Sequence, residues 1–466
     1  MRTALLYLFL VATLLGGVVV VLELGESLGS ASGVPAAVGA GGEASPGVLA
    51  LLAQIGVVLA SAWLLGEGFR RAGQPRVVGE MAAGILLGPS LLGWLAPGLA
   101  AALFPADSLD VLSNLSQVGL VLFMFLVGVE LDSSVLRGRR HTAVLTSHMS
   151  ILVPFLLGAG LALHLFPRLA PSDVPFASFA LFMGTAMSVT AFPVLARIVR
   201  ERNLSHTEVG TLAIACAAID DVTAWCILAV VVAIVRSDAT AIPFWLTLAG
   251  IPLFVLVLLF VVRPPFLRIE AAYGRDRRFT RGMLAVVLLL VFASAWTTEW
   301  LGVHAVFGAF ALGAIVPRDA GIAREITRRI EDVTVVLLLP LFFAVTGLRT
   351  NIGLVSGVES WVFAGLILLI AVVGKFGAST LTARFTGVPW RESVALGALM
   401  NTRGLMELVV LSIGLDLGVI SPTLFTMMVM MALITTLMTA PLLQLIYPRG
   451  PVPPGGPSGE RPGVRS

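Results

Sequence analysis

The sequence predicts an all-α polytopic membrane protein, built as an inverted repeat of six plus six helices behind an extra N-terminal helix. Three observations predict it. Of the 466 residues, 58% are hydrophobic and only 12% charged, against roughly 45–50% and about 25% in soluble domains. Windows of about 20 apolar residues, the length that crosses a bilayer, recur along the whole chain. The helices also divide into two sixes with matching local features. The composition excludes a disordered chain, a disulfide scaffold and an ordinary cytosolic enzyme. Cys216 and Cys226 lie in one apolar stretch and set no disulfide framework.

The candidate spans are 4–22, 48–66, 77–95, 111–131, 142–166, 176–200, 207–234, 242–262, 280–298, 302–317, 331–350, 360–384, 390–416 and 421–446. The first reads as a retained helix rather than a signal peptide, because it is long for a signal and no clean cleavage motif follows directly. The loop 23–47 is Gly/Ala/Ser-rich and reads as flexible, and the tail 447–466 is Pro/Gly-rich and reads as disordered.

Arginine placement tests the count. With the N-terminus inside, Arg70, Arg71, Arg76, Arg137, Arg139, Arg140, Arg197, Arg200 and Arg202 all fall inside. So do the set from Arg263 to Arg281, then Arg318, Arg324, Arg328, Arg329, Arg384 and Arg391. Only Arg168, Arg236 and Arg349 fall outside. This positive-inside asymmetry predicts that both termini are cytoplasmic.

Setting the first helix aside, six helices (48–234), a linker helix (242–262) and six more (280–446) remain. An odd helix between the sixes gives them opposite topology. Their third helices end alike, in Phe125–Asp132 and Phe343–Thr350. Their second helices share a small-residue run ending in proline, Ala82–Pro89 and Ala311–Pro317. Such inverted repeats occur in many secondary transporters.

Few charges fall at depth, where each costs about 2.5–3.5 kcal/mol on insertion scales and needs a partner or a purpose. Asp220 and Asp221 sit mid-span. Neighbouring helical positions point about 100° apart, so one carboxylate can face a cavity while the other pairs with another helix. A buried carboxylate holds a proton or a bare cation, and that competition is the minimal chemistry of exchange. Lys375, the sole lysine among 30 basic residues, is too deep to snorkel easily, and an Asp of the pair is its expected partner. The fifth helix of each six is interrupted. Ser188-Val-Thr-Ala-Phe-Pro193 loses a backbone donor at Pro193 and gains oxygens from Ser188 and Thr190. Asn401-Thr402-Arg403-Gly404 breaks its counterpart. Matched breaks point to a transport site, and Arg403 can offset the carbonyl ends there. Glu407, four residues on, shares the Arg403 face and reads as structural support. Glu80 is a candidate for a cytoplasmic funnel that attracts cations, although solvation at a helix end is the plainer reading for it, Glu130 and Asp132. His148, His164 and His304 are isolated, no metal-ligand spacing occurs, and the Met427–Met431 run reads as apolar filling.

Gly79–Ser90, Phe125–Asp132, Ala218–Asp221, Gly374–Gly377 and Asn401–Glu407 together resemble the second monovalent cation:proton antiporter family, that of Kef-type bacterial transporters and plant cation/proton exchangers. The resemblance covers about 48–446. It implies a sodium/proton-antiporter-like fold with crossed broken helices. It also implies a homodimer-forming scaffold (48–131, 280–350) and a moving ion-binding core (142–234, 360–446). Asp221 would carry the proton or, transiently, Na⁺ or K⁺, and Asp220 would pair with Lys375. The breaks at Ser188–Pro193 and Asn401–Gly404 would cross. The expected activity is non-enzymatic exchange of Na⁺ or K⁺ for H⁺ in a bacterial inner membrane, without cofactor or nucleic-acid partner. The resemblance covers the transmembrane part alone, and no nucleotide-binding domain of the Kef type is expected in this chain. The alternatives are a cation channel or uniporter on the same fold, or a sodium-coupled symporter. An intramembrane aspartyl protease is disfavoured, because its two acids must come from different helices.

Overall fold

The computed structural model describes residues 48–130, 140–202, 204, 207–236, 244–276, 279–317 and 321–447. The readings made above for the first span, the loop 23–47, Asp132 and the tail from 448 lie outside them. The described residues form helices and their connections, in the order α1 (Val48–Arg71), α2 (Arg76–Leu87), α3 (Ala106–Glu130), α4 (Arg140–Leu169), α5 (Phe176–Ser188), α6 (Phe192–Glu201), α7 (Glu208–Arg236), α8 (Phe244–Val257), α9 (Arg263–Asp276), α10 (Arg281–Trp300), α11 (Ala305–Ala314), α12 (Ile322–Val333), α13 (Leu339–Leu348), α14 (Gly357–Val372), α15 (Ala378–Phe385), α16 (Trp390–Met400), α17 (Leu405–Asp416) and α18 (Pro422–Ile446). Short π-helical turns at Leu258–Val262, Thr334–Leu338 and Val373–Gly377 join α8 to α9, α12 to α13 and α14 to α15. Among the described residues, eleven helical spans are long and apolar enough to cross a membrane, or twelve with the bent pair α16–α17 counted as one.

Three expectations need correction. The span 302–317 is only the ten-residue helix α11, about 15 Å long and half of a bilayer core. It is buried along most of its length, so its apolar character serves packing against protein rather than lipid. The segment 322–330, read as loop, belongs to helix α12, which runs on into the start of the span 331–350. Ile322, Ile326 and Ile330 form a buried stripe at helical spacing, while Glu325 holds Arg328 and Arg329 at 2.8 and 2.9 Å along the outer face. Residues 263–276, also read as loop, continue the linker helix as α9.

Two sets of helices pack chiefly among themselves. One comprises α1–α3 with α10, α11 and α13, and the other α4–α7 with α14–α18. In the first set the repeat appears as one crossing made twice. Helix α3 meets α11 through Gly128 and Gly313, where a Cβ on either glycine would strike the other helix's backbone. Helix α2 meets α13 in the same way through Gly84 and Gly347. Small residues let helix backbones approach this closely in a membrane. Gly128→Ala is expected to destabilise by about 1–3 kcal/mol through overpacking. Gly365→Ala, where a methyl meets open space, should be neutral or stabilising. Paired thermal unfolding in detergent checks both.

Candidate functional site

Helix α5 stops at Ser188, and Val189 continues in extended backbone (φ −68°, ψ 140°). Pro193 lies in the first turn of α6, where its missing N–H costs nothing. The interruption therefore sits just before the proline. Opposite it, α16 ends at Met400 and α17 restarts after Gly404, whose φ of 155° and ψ of −130° suit glycine alone. The Ala191 N–H donates to the Thr402 carbonyl at 3.1 Å. The two breaks thus cross and touch through their backbones. Thr402 Oγ1 lies 3.2 Å from Thr439 Oγ1, and Asn401 is buried with its Oδ1 unpartnered.

The crossing leaves the last carbonyls of α5 unpaired by their own helix, the negative end of its dipole. Two cations meet them. Arg403 Nη1 donates to Ala186 O at 3.0 Å and Nη2 to Met187 O at 2.5 Å, while Lys375 Nζ donates to Ser188 O. The Ser188 hydroxyl itself turns back to Thr185 O at 2.8 Å. Its carbonyl, rather than its side chain, faces the site. Arg403 also holds Glu407 Oε2 at 2.8 Å, and both side chains are fully buried. Arg403→Ala would leave the Glu407 charge and two helix-end carbonyls unpaired, at a cost of about 3–5 kcal/mol. The double variant Arg403→Ala/Glu407→Ala should lose less than Arg403→Ala alone, as read by thermal unfolding.

Asp220 is tied to several partners. Ser147 Oγ donates to its Oδ1 at 2.5 Å, Ser150 Oγ reaches its Oδ2 at 2.8 Å, and Thr190 Oγ1 reaches the same oxygen at 2.6 Å. Lys375 Nζ adds an ion pair at 3.1 Å, from a side chain with no exposed surface. Ser147 and Ser150 were not singled out from sequence. The available signal was two hydroxyls one turn apart on the long apolar helix α4, whose face they place against α7. Asp221 has the opposite surroundings. It is 1% exposed, and neither carboxylate oxygen has a hydrogen-bond partner. The amide of Phe192, at the positive head of α6, is the backbone donor that faces it. One carboxylate of the adjacent pair is tied into the bundle and the other stands open at a helix N-terminus. An unpartnered carboxylate in such a place draws a proton or a cation.

A cavity of about 360 Å³ runs from the crossing, at Pro193 and Leu405, to a mouth lined by Glu130, Arg197, Arg200 and Glu331. It separates α6 from α3, α12 and α13. Glu80 is half-buried on α2 near Arg76 and Arg197 and is not among its lining residues. The acids at this mouth are Glu130 and Glu331. No group of three or more His, Cys, Asp or Glu residues suited to a resident metal occurs among the described residues.

The family model for sodium/hydrogen exchangers, transmembrane, matches residues 56–445. The Na(+)/H(+) antiporter NhaS4 of Synechocystis is 45% identical over 404 residues, covering 86% of this chain and 98% of its own. Cation/H(+) antiporter 17 of Arabidopsis thaliana is 40% identical over 401 residues, and K(+)/H(+) antiporter 1 of Saccharomyces cerevisiae 35% over 387. They cover 86% and 80% of this chain, which spans 48% and 44% of their lengths. The solved structure of the sodium proton antiporter MjNhaP1 from Methanocaldococcus jannaschii shares the fold, with a TM-score of 0.65 at 14% identity over 86% of this chain and 98% of that one. With its crossed half-helices, its membrane spans and a family match over most of its length, this integral membrane protein belongs to the sodium/hydrogen exchanger family.

Proposed function

We propose that the chain is a secondary antiporter that exchanges a monovalent cation, Na⁺ or K⁺, for protons by alternating access. The observation that carries this reading is the contrast between the two adjacent acids. Asp220 is held by three hydroxyls and the Lys375 ammonium, whereas both oxygens of buried Asp221 await a partner. Asp221 would exchange a proton on one face of the membrane for a cation on the other. The cavity ending at Pro193 and Leu405 supports an access route from the arginine-rich face. Relatives named as Na⁺/H⁺ and K⁺/H⁺ antiporters support the same exchange.

In this reading α4–α7 and α14–α18 move as the ion-binding core. The scaffold of α1–α3 and α10–α13 stays fixed and forms a homodimer. Asp220 and Lys375 hold the bundle together between turnovers. Release of the Lys375 proton when Asp220 lets go would carry a second proton, so that the membrane potential drives exchange at about 2.3 kcal/mol per charge per 100 mV. The protein would sit in a bacterial inner membrane with its arginine-rich face in the cytoplasm.

Proteoliposomes carrying an imposed ΔpH test the reading. Added Na⁺ or K⁺ should dissipate the gradient. A voltage clamp with K⁺ and valinomycin, applied while Na⁺ is the transported cation, should change the rate. A gradient indifferent to Na⁺, K⁺ and Li⁺ alike would end the proposal.

A further inference from the structure

The arginines of the sparsely basic face differ in what they hold. Arg168, at the end of α4, pairs with Glu359 of α14 at 2.7 Å, inside one set of helices. Arg349, just after α13, reaches across to the other set. Its Nη1 donates to Asp416 Oδ1, at the end of α17, at 2.6 Å, and its Nη2 donates to Ser113 Oγ of α3 at 3.2 Å. Two residues on, the Asn351 N–H donates to Thr426 Oγ1 of α18 at 3.2 Å. The segment 349–351 thus ties the scaffold to the core on this face. On the arginine-rich face the same two bodies stand apart around the cavity, with Arg197 and Arg200 of α6 on one wall and Glu130 and Glu331 on the other.

We propose that Arg349 and Asp416 form a latch on the face opposite the cavity, which holds the core against the scaffold in the conformation open toward the arginine-rich side. The inference rests on the antiport reading, because a core that moves relative to its scaffold must break this bridge once in every cycle. Arg349 and Asp416 are positioning residues and touch neither the cation nor Asp221. They set how the two access states are populated. When the latch opens, the cavity closes. Both latch side chains are about one-third exposed, at 33% and 37%. Their pair therefore carries a modest energy, of a size that biases an equilibrium without freezing it.

The test uses the full-length protein with Cys216 and Cys226 replaced by alanine and Val335→Cys on the cavity wall as reporter. A membrane-impermeant maleimide is applied from the arginine-rich face. Arg349→Gln and Asp416→Asn should each slow labelling, by up to about fivefold, the largest shift expected for a partly exposed pair. The charge swap Arg349→Asp/Asp416→Arg should restore it. Labelling unchanged in both single variants, or a swap that labels as slowly as they do, overturns the latch. Labelling is read without transport. A wild type that moves no cation would therefore count against the antiport reading while the labelling result still decides the latch.

Discussion

Asp221→Asn is expected to reduce cation-dependent dissipation of ΔpH to the level of empty vesicles while the protein stays folded. The amide has nearly the shape of the carboxylate but carries no charge to exchange. A buried carboxylate lacking hydrogen bonds at both oxygens is also a source of instability. The neutral amide removes the buried charge but leaves its own N–H donors unpaired there, so the cation-free stability should change little. The cation response should change. Binding to the folded wild type at a hundred times its dissociation constant stabilises by about 2.7 kcal/mol, and Asp221→Asn should show no such thermal shift. Competition also fixes a pH dependence. Where a proton and a cation contend for one carboxylate, the apparent cation KM of the wild type rises as pH falls, by up to about tenfold per pH unit. Initial rates measured across pH on purified wild type and variant check both outcomes. An Asp221→Asn protein that keeps its transport, or a wild-type KM that stays flat in pH, would contradict the role assigned to Asp221.

Lys375→Met should have the second-largest effect, and chiefly on stability. It leaves Asp220 charged and buried with only the hydroxyls of Ser147, Ser150 and Thr190. It also leaves the Ser188 carbonyl without its cation. Removing one partner of a buried pair costs about 3–5 kcal/mol. The double variant Asp220→Asn/Lys375→Met should recover most of that loss, because a neutral amide among three hydroxyls needs no counter-charge. Thermal unfolding in detergent measures the recovery as a double-variant cycle. If the double variant is no more stable than Lys375→Met, the pair is not what holds these helices together.

The membrane spans were legible in the sequence because hydropathy reports them directly. The depth of Asp220, Asp221 and Lys375 was legible because charge in a bilayer is costly enough to stand out. The breaks at Ser188–Pro193 and Asn401–Gly404 were legible as polar or proline interruptions in apolar runs. What remained hidden depends on direction within a helix. Neither Ser147 and Ser150 nor the turn of the Ser188 hydroxyl back onto its own helix changes the hydropathy of a span. Glu80 and Glu130 look alike as acids at helix ends, and only the cavity between α6 and the helices α3, α12 and α13 distinguishes them, with Glu130 lining its mouth and Glu80 elsewhere. The short helix α11 reads as a full span in sequence because a segment buried in protein is as apolar as one facing lipid. Most of helix α12 reads as a loop because its arginines mask the isoleucine stripe beneath them.

The central claim is that proton and cation occupy Asp221 in turn, and proton release on cation binding tests it most directly. Purified protein in weakly buffered detergent, at a pH where Asp221 holds its proton, receives Na⁺ or K⁺ while a pH indicator is read. The wild type should release protons in proportion to the cation bound, and Asp221→Asn should release none. Cation binding without proton release, or equal release from Asp221→Asn, would contradict the account.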